Sequence, residues 1–460
     1  MSQVREQSCC RSTVGEGLLT LPANASARAA LDIANPPAVS GFTREGSSLV
    51  CDGVSLEMIA SDVGTPSYVY SAAAIRTQYE RLTSALEGIP HRLHYSVKAN
   101  SNLAILGVLR RLGAGVDIVS GGELYRAESA GFKGRDIVFS GVGKTRRELH
   151  EALTIGVLLI NVESEDELEL LDAIAGEMGV TAPVALRVNP EVMVDTPHPY
   201  TRTGVKGMKF GIPFDETLPV AKRALAMKHV RLIGLDMHVG SQISQFQPYE
   251  IGLGRLLKLT SEIQGAGAKD LKYLDIGGGL AVTYDAEHPI DVEGFGAALK
   301  KMVMPTGLEL ILEPGRFLVG NAGVLLTRVL YRKRSGGKEF IIIDAGMNDL
   351  LRPSHYNAYH KIEAVTPRGS KVTADIVGPI CESGDFFGLH REVDDVEPGD
   401  LVVVRSSGAY GFAMASNYNS RTRAAEVLVD RGRYGIITER EDYPDLVRKE
   451  RLEPEWRSGS

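Results

Sequence analysis

Residues 115–123 read GVDIVSGGE, a short apolar run that leads directly into Ser120 with Glu123 three positions on. Ser or Thr followed by Glu at that spacing is a helix capping box, so the stretch reads as a strand that turns at once into a helix. The same junction recurs at Thr145/Glu148 and at Ser164/Glu167. Working outward, strands are expected at 92–98 (RLHYSVK), 115–119, 136–140, 157–162, 184–189, 232–239, 273–276 and 308–312. Eight strand-then-helix units in roughly 250 residues is the arithmetic of a (β/α)8 TIM barrel. A doubly wound open sheet would need fewer strands and a phosphate fingerprint early in the chain.

The pattern changes after Arg316. Short β runs at 323–331, 339–344, 371–377, 400–405 and 424–429 are separated by turn signals such as Glu397-Pro398-Gly399-Asp400. This predicts an all-β domain, sandwich or small barrel. The expected organisation is a flexible tail over 1–40, a strand segment over 41–70, an α/β barrel over 71–317 opening with a helix at 73–87, a β domain over 318–445 and a loose charged tail over 446–460.

With 460 residues, 43% apolar and 24% charged, the chain is long enough for two or three domains and is not a disordered polymer. Its net charge of −7 argues against nucleic acid or an anionic membrane as main partner. No apolar run approaches the ~18 residues that span a bilayer, and no secretory signal is evident. The four cysteines, Cys9, Cys10, Cys51 and Cys381, are too few for a disulfide framework and suit a reducing, cytoplasmic setting. The 50 glycines exceed an average share and belong in turns and in phosphate or cofactor loops.

Two glycine motifs are decoys. Gly141-Val142-Gly143-Lys144-Thr145 resembles the end of a phosphate-binding P-loop, but Val138 stands where its first Gly is required. Gly277-Gly278-Gly279 fails the dinucleotide pattern because Val282 replaces its last Gly. The triplet alone fits a plain tight turn equally well. Its place after the seventh strand, where barrels often bind phosphate, tips it towards an anion cradle.

Lys98 closes the first strand, on the same face as Ser96 and His94. A Lys there points into the barrel mouth, where desolvation would lower its pKa and let it condense with an aldehyde. On its own it reads more readily, by about two to one, as a snorkelling surface Lys. Asp117 lies near the end of strand two, Arg187 ends strand five and His238 ends strand six, followed by Ser241. Glu313-Pro314-Gly315-Arg316 follows strand eight. Each alone is unremarkable, but together a Lys, a His, a glycine loop, a Glu and an Arg converge on one mouth. Their chemistry suits an aldehyde cofactor that carries a phosphate. Metal chemistry has no support from ligand spacing. In the β domain, a Gly/Pro-bounded turn over 378–385 sets Cys381 beside Glu382 and Asp385, which makes a core role for that thiol unexpected, whereas Cys51 reads as a small buried hydrophobe.

Taken together, Tyr95–Asn100, Gly113–Arg126, Phe139–Thr145, His238–Gln242, Asp275–Leu280, Glu313–Arg316, Asp344–His360, Gly378–Asp385 and Gly408–Arg423 resemble, in order, the diaminopimelate decarboxylases. These belong to the pyridoxal-phosphate-dependent ornithine/diaminopimelate/arginine decarboxylases, more distantly related to alanine racemase. The resemblance runs from about residue 45 to 440. It implies a pyridoxal-phosphate-binding TIM barrel plus a β-barrel domain that the strand preceding the TIM barrel joins. It also implies decarboxylation of meso-2,6-diaminopimelate to L-lysine, and a homodimer with active sites at the subunit interface.

By resemblance, Lys98 carries the cofactor, His238 stacks on its ring and Glu313 pairs with the ring nitrogen. Ser241, Gly277, Gly278, Gly279, Pro314, Gly315 and Arg316 surround the phosphate, with Asp117, Arg187 and Tyr410 also at the cofactor. Cys381 is the implied proton donor, supplied across the dimer. Arg316, Arg352, Tyr356, Glu382 and Tyr410 match substrate positions. Two arginines suit a carboxylate at the far end of the substrate, and Glu382 suits the distal ammonium. Thr201-Arg202, Ala281 and Ser354-His355 depart from the family pattern. The rival readings are a decarboxylase of another amino acid, a racemase, and a non-catalytic binding protein. Retention of Lys98, Glu313 and Cys381 together argues against the last.

Overall fold

The computed structural model describes residues 39–193, 198, 204, 206–285 and 287–459. The expected N-terminal tail up to residue 38, with Cys9 and Cys10, and the Thr201-Arg202 departure lie outside them.

Eight parallel strands close on themselves: His91–Ser96, Gly115–Ile118, Ile137–Phe139, Leu159–Val162, Ala182–Asn189, Val230–Met237, Tyr273–Asp275 and Glu309–Leu312. The eighth pairs back onto the first, Leu310 with His91 and Leu312 with Leu93. The strands fall close to where the sequence places them, because each is a short apolar run cut off by a turn, and five of the eight lead into a helix with a side-chain cap. Only Thr145/Glu148 forms the full reciprocal box. Ser120 and Ser164 accept from the amides three residues on, but Glu123 and Glu167 reach back to the amides of Val119 and Glu163, one residue before the cap. The boxes therefore also fix the last turn of the preceding strand.

The second sheet is mixed rather than a simple antiparallel layer. Its strand order is Phe386–Asp394, Lys371–Val377, Lys338–Ile343, Gly323–Ser335, Ser67–Ser71, Ala425–Asp430 and Arg433–Thr438. Leu401–Val404 also pairs with Gly323–Ser335 and carries Ile362–Ala364 on its other edge. Ser67–Ser71 is thus threaded into the centre of the sheet, antiparallel to Gly323–Ser335 and parallel to Ala425–Asp430. The rest of the 41–70 segment does not join it. Phe42–Glu45, Ser48–Cys51 and Val54–Ser55 make a small sheet of their own, followed by a helix at Leu56–Val63. Cys51 is fully buried in the apolar cluster beneath that sheet. At the other end, a short helix at Tyr443–Val447 leads into exposed chain without regular structure.

Glu57 pins the small sheet to the second domain. Its carboxylate accepts from the hydroxyls of Ser48 (2.6 Å), Ser55 (2.7 Å) and Thr366 (2.5 Å). Burial raises this carboxyl, but the three hydroxyl bonds outweigh it and bring its pKa from 4.5 down to about 2. A depressed carboxylate stabilises the fold above its unfolded pKa and loses that contribution as pH falls through the folded one. Glu57→Gln is therefore expected to lower stability by about 1 kcal/mol at neutral pH after solvent screening. The difference between the two proteins should shrink as pH drops from 4.5 towards 2. Thermal melts across that range check it, and a deficit independent of pH would contradict it.

Candidate active site

The first barrel strand stops at Ser96, and Val97–Ala99 form a single 3-10 turn. Lys98 therefore does not continue the strand face that holds Ser96 and His94, contrary to the sequence expectation. The turn still aims its amine inward: Asp117 Oδ2, on the second strand, accepts from both Ser96 Oγ (2.8 Å) and Lys98 Nζ (3.1 Å). The expected sign of the pKa shift is also corrected. Burial lowers the ammonium, but Asp117 and then Glu313 outweigh it and hold Lys98 above the ordinary lysine value. Lys98 is a cation paired with a carboxylate, its side chain exposed to the central cavity.

That cavity is about 420 Å³ and sits at the C-terminal mouth of the barrel. Lys98, Arg187, His238, Ser241, Gly278, Gly279, Glu313, Gly315, Arg316 and Tyr410 all line it. His238 follows the sixth strand directly. Its Nδ1 accepts from the amide of Gly278 (3.2 Å), which leaves the ring proton on Nε2. Burial, then Arg187 and Lys98, push its pKa well below the usual value, so it is a neutral, flat ring.

The glycine loop after the seventh strand has no room for side chains. A Cβ on Gly278 would come within 2.3 Å of the Glu313 carbonyl oxygen, and one on Gly279 within 2.2 Å of the Gly240 carbonyl oxygen. Gly279 also sits at φ +102°, which an L side chain rarely adopts. Asp275 Oδ1 braces the loop by accepting from the Gly277 amide (2.9 Å). Gly315 likewise packs close: its Cβ would lie 3.1 Å from that of Ser96. Pro314 is part of the same floor, its carbonyl accepting from the Ser96 amide (3.3 Å).

Oxygens of Asp236, Asp275 and the cavity-lining Glu313 lie within 4.8 Å of one another, the spacing of a cation site. Arg187 already supplies positive charge there, with Nε 3.6 Å from Asp236. Burial, then Asp117, Asp275 and Asp236, raise Glu313 well above the normal carboxyl range. Glu313 Oε1 also accepts from Ser140 Oγ (3.2 Å) and Asn161 Nδ2 (3.4 Å).

These residues fit pyridoxal phosphate. They offer an amine, a neutral ring, a buried carboxyl and a glycine cradle beside a hydroxyl and a guanidinium. Buried oxygens of Asp117, Asn161 and Asp236 are left without a partner within the protein, as expected where polar groups await a ligand.

Several residues without sequence patterns complete the site. Glu163 directly follows the fourth strand, pairs with Arg187 (2.7 Å) and accepts from the amides of Gly141 (3.0 Å) and Gly211 (3.0 Å). An acidic residue at a barrel-strand end was the available signal. The Phe210 ring lies 5.3 Å from the Arg187 guanidinium. The P-loop-like Lys144 is sequestered: its amine bonds to Gly141 O, Asn161 O and Glu167, and the side chain is 1% accessible.

The remaining expected residues divide. The Tyr410 amide donates to Ala99 O (2.8 Å), and its ring lies 4.9 Å from the Arg316 guanidinium. Arg352 is buried and shares the Tyr284 hydroxyl with Arg316. Tyr356, half-buried, ends the same short helix against His355. Cys381 and Glu382 do not line the cavity of their own chain. They are exposed at the tip of a loop that Asp385 folds, accepting from the amides of Met347 and Ile380 (2.6 Å each). The Cys381 amide donates to Asn419 (2.9 Å).

Comparison with known proteins matches this architecture. A family model described as the pyridoxal-binding domain of pyridoxal-dependent decarboxylases covers residues 72–320. A diaminopimelate decarboxylase of Pseudomonas aeruginosa is 49% identical over 415 residues, 90% of this chain and 99% of that protein. One from Aquifex aeolicus is 46% identical over 406 residues, 88% of this chain and 96% of that protein. Among solved structures, diaminopimelate decarboxylase from Helicobacter pylori in complex with L-lysine superposes with a TM-score of 0.82 at 38% identity, covering 85% of this chain and 98% of that one. No helix among the described residues is long and apolar enough to cross a membrane. With a closed barrel, a cofactor-shaped mouth and relatives matched over nearly their whole length, the chain belongs to the diaminopimelate decarboxylase family of pyridoxal-phosphate-dependent decarboxylases.

Proposed function

We propose that the protein removes carbon dioxide from meso-2,6-diaminopimelate to give L-lysine, acting as a cytoplasmic homodimer. The carrying observation is the pairing of two features. Lys98 and Glu313 line the cavity, with Asp117 bonded to Lys98 behind them, and two arginines, half-buried Arg316 and buried Arg352, lie near it with no carboxylate partner among the described residues. A substrate with a second carboxylate satisfies both.

Bound pyridoxal phosphate supplies the electron sink for the pair released as carbon dioxide leaves. Lys98 is the residue whose amine would hold it covalently. Asp117 keeps that amine at the mouth and takes up its charge. His238 offers a neutral face, and the Glu313 carboxyl is placed to pair with the ring nitrogen. Gly277, Gly278, Gly279, Ser241, Pro314, Gly315 and Arg316 form the phosphate end, with Arg187 and Tyr410 flanking. Arg316, Arg352, Tyr356 and Tyr410 orient the substrate, with Glu382 taking its distal ammonium.

Cys381 is exposed and outside its own chain's cavity, which is where a residue serving a neighbouring site belongs. In the homodimer, Cys381 and Glu382 of each protomer complete the partner's cavity, and the thiol delivers the proton that replaces carbon dioxide. The test is product analysis: purified protein with pyridoxal phosphate and diaminopimelate should yield one lysine per carbon dioxide released. Failure to release either would overturn the reading.

A further inference from the structure

Arg352 is buried and Arg316 half-buried at the cavity wall, yet none of the groups acting most strongly on either is an Asp or Glu. A buried guanidinium is normally paired with a carboxylate. Here they share a phenol instead. Arg352 donates to the Tyr284 hydroxyl oxygen at 2.6 Å, and Arg316 donates to the same oxygen. The ring lies within cation–π reach of both, 4.7 Å from the Arg352 guanidinium and 5.7 Å from that of Arg316.

The second partner of Arg352 is also neutral. His360 Nε2 lies 3.3 Å from its Nη1, while His360 Nδ1 faces the Arg405 carbonyl oxygen at 2.7 Å and so carries the ring proton. Burial, then Arg352, lower the pKa of His360 to about 3, which keeps Nε2 an uncharged acceptor. His360 also packs edge-on against the Tyr284 ring at 5.2 Å. The chain that carries Tyr284 is fixed by Glu287, whose Oε2 accepts from the amides of Tyr284 (3.0 Å) and Asp285 (2.7 Å). Burial raises the Tyr284 phenol, but Arg316 and Arg352 outweigh it and bring it below the ordinary value, so its oxygen is strongly polarised by the pair.

We propose that Tyr284 is a specificity-determining positioning residue, whose phenol oxygen ties Arg316 and Arg352 into one convergent pair that grips the substrate carboxylate farthest from the reacting carbon. A carboxylate in place of this phenol would neutralise the pair and close it to an anion. A ring without the oxygen would leave two like charges side by side with nothing to hold them, and they would splay apart. This inference rests on the dicarboxylate substrate proposed above.

The test is Tyr284→Phe in the enzyme loaded with pyridoxal phosphate. It removes one oxygen and keeps every ring contact, so the visible cofactor band and the melting temperature should stay close to wild type. The KM for diaminopimelate should rise about ten- to a hundredfold, the loss expected for a hydrogen bond to a charged group, with kcat changed only a few-fold. Pimelate, a dicarboxylate of the same chain length without amines, should weaken as a competitive inhibitor by the same factor.

Unchanged KM and unchanged pimelate inhibition would overturn the proposal. So would loss of the cofactor band, an early melt, or a fall in kcat alone, since each assigns Tyr284 to the cofactor or the fold. The underlying substrate reading fails separately, if wild type neither decarboxylates diaminopimelate nor binds pimelate. An active wild type with an indifferent Tyr284→Phe removes only the role of Tyr284.

Discussion

Lys98→Ala is expected to lose the visible absorption of bound pyridoxal phosphate and to cut turnover by roughly a thousandfold or more, since removal of a covalent catalyst abolishes its route. The amine is the cavity's own lysine, held 3.1 Å from Asp117 at the barrel mouth. Lys144, the other lysine with a suggestive motif, bonds to two carbonyls and Glu167 and is not free to substitute. The fold should survive, because Asp117 Oδ2 keeps its bond from Ser96. Absorbance with added cofactor, paired with a melt, checks this. A retained band would move the covalent role elsewhere.

Cys381→Ala should separate the two halves of the reaction. The cofactor band should be unchanged, because Cys381 lies outside the cavity of its own chain. Turnover should fall about 10²- to 10⁴-fold, the usual contribution of a positioned acid, or the product should be protonated wrongly. The dimer adds a sharper readout. Neither Lys98→Ala nor Cys381→Ala should be active alone. Subunits exchanged between them form mixed dimers with one intact site each, so activity should recover to about a quarter of wild type. No recovery on mixing would remove Cys381 from the neighbouring site, and unchanged turnover in Cys381→Ala would remove it from the mechanism.

The barrel was legible because its strands are short, apolar and cut off by capping residues, as in 157–162 running into Ser164. The second sheet was less so. Phe386–Asp394 carries His390, Arg391 and Glu392 in its middle, and its pairing with Lys371–Val377 is broken by register shifts, so no clean alternation appears. Arg433–Thr438 is an exposed outer strand with little apolar signal. Within the site, residues at strand ends could be named in advance. The ionisation of Lys98 could not, because its sign depends on how close Asp117 comes from another strand. Tyr284 and Glu163 belong to no motif, and their significance exists only where separate loops meet around the arginines.

The most direct test of the account compares carbon dioxide release from meso-diaminopimelate, ornithine, arginine and lysine by the wild-type protein loaded with pyridoxal phosphate. Rapid release is expected from diaminopimelate alone, since only it presents a distal carboxylate to Arg316 and Arg352. Faster release from ornithine, arginine or lysine would contradict it.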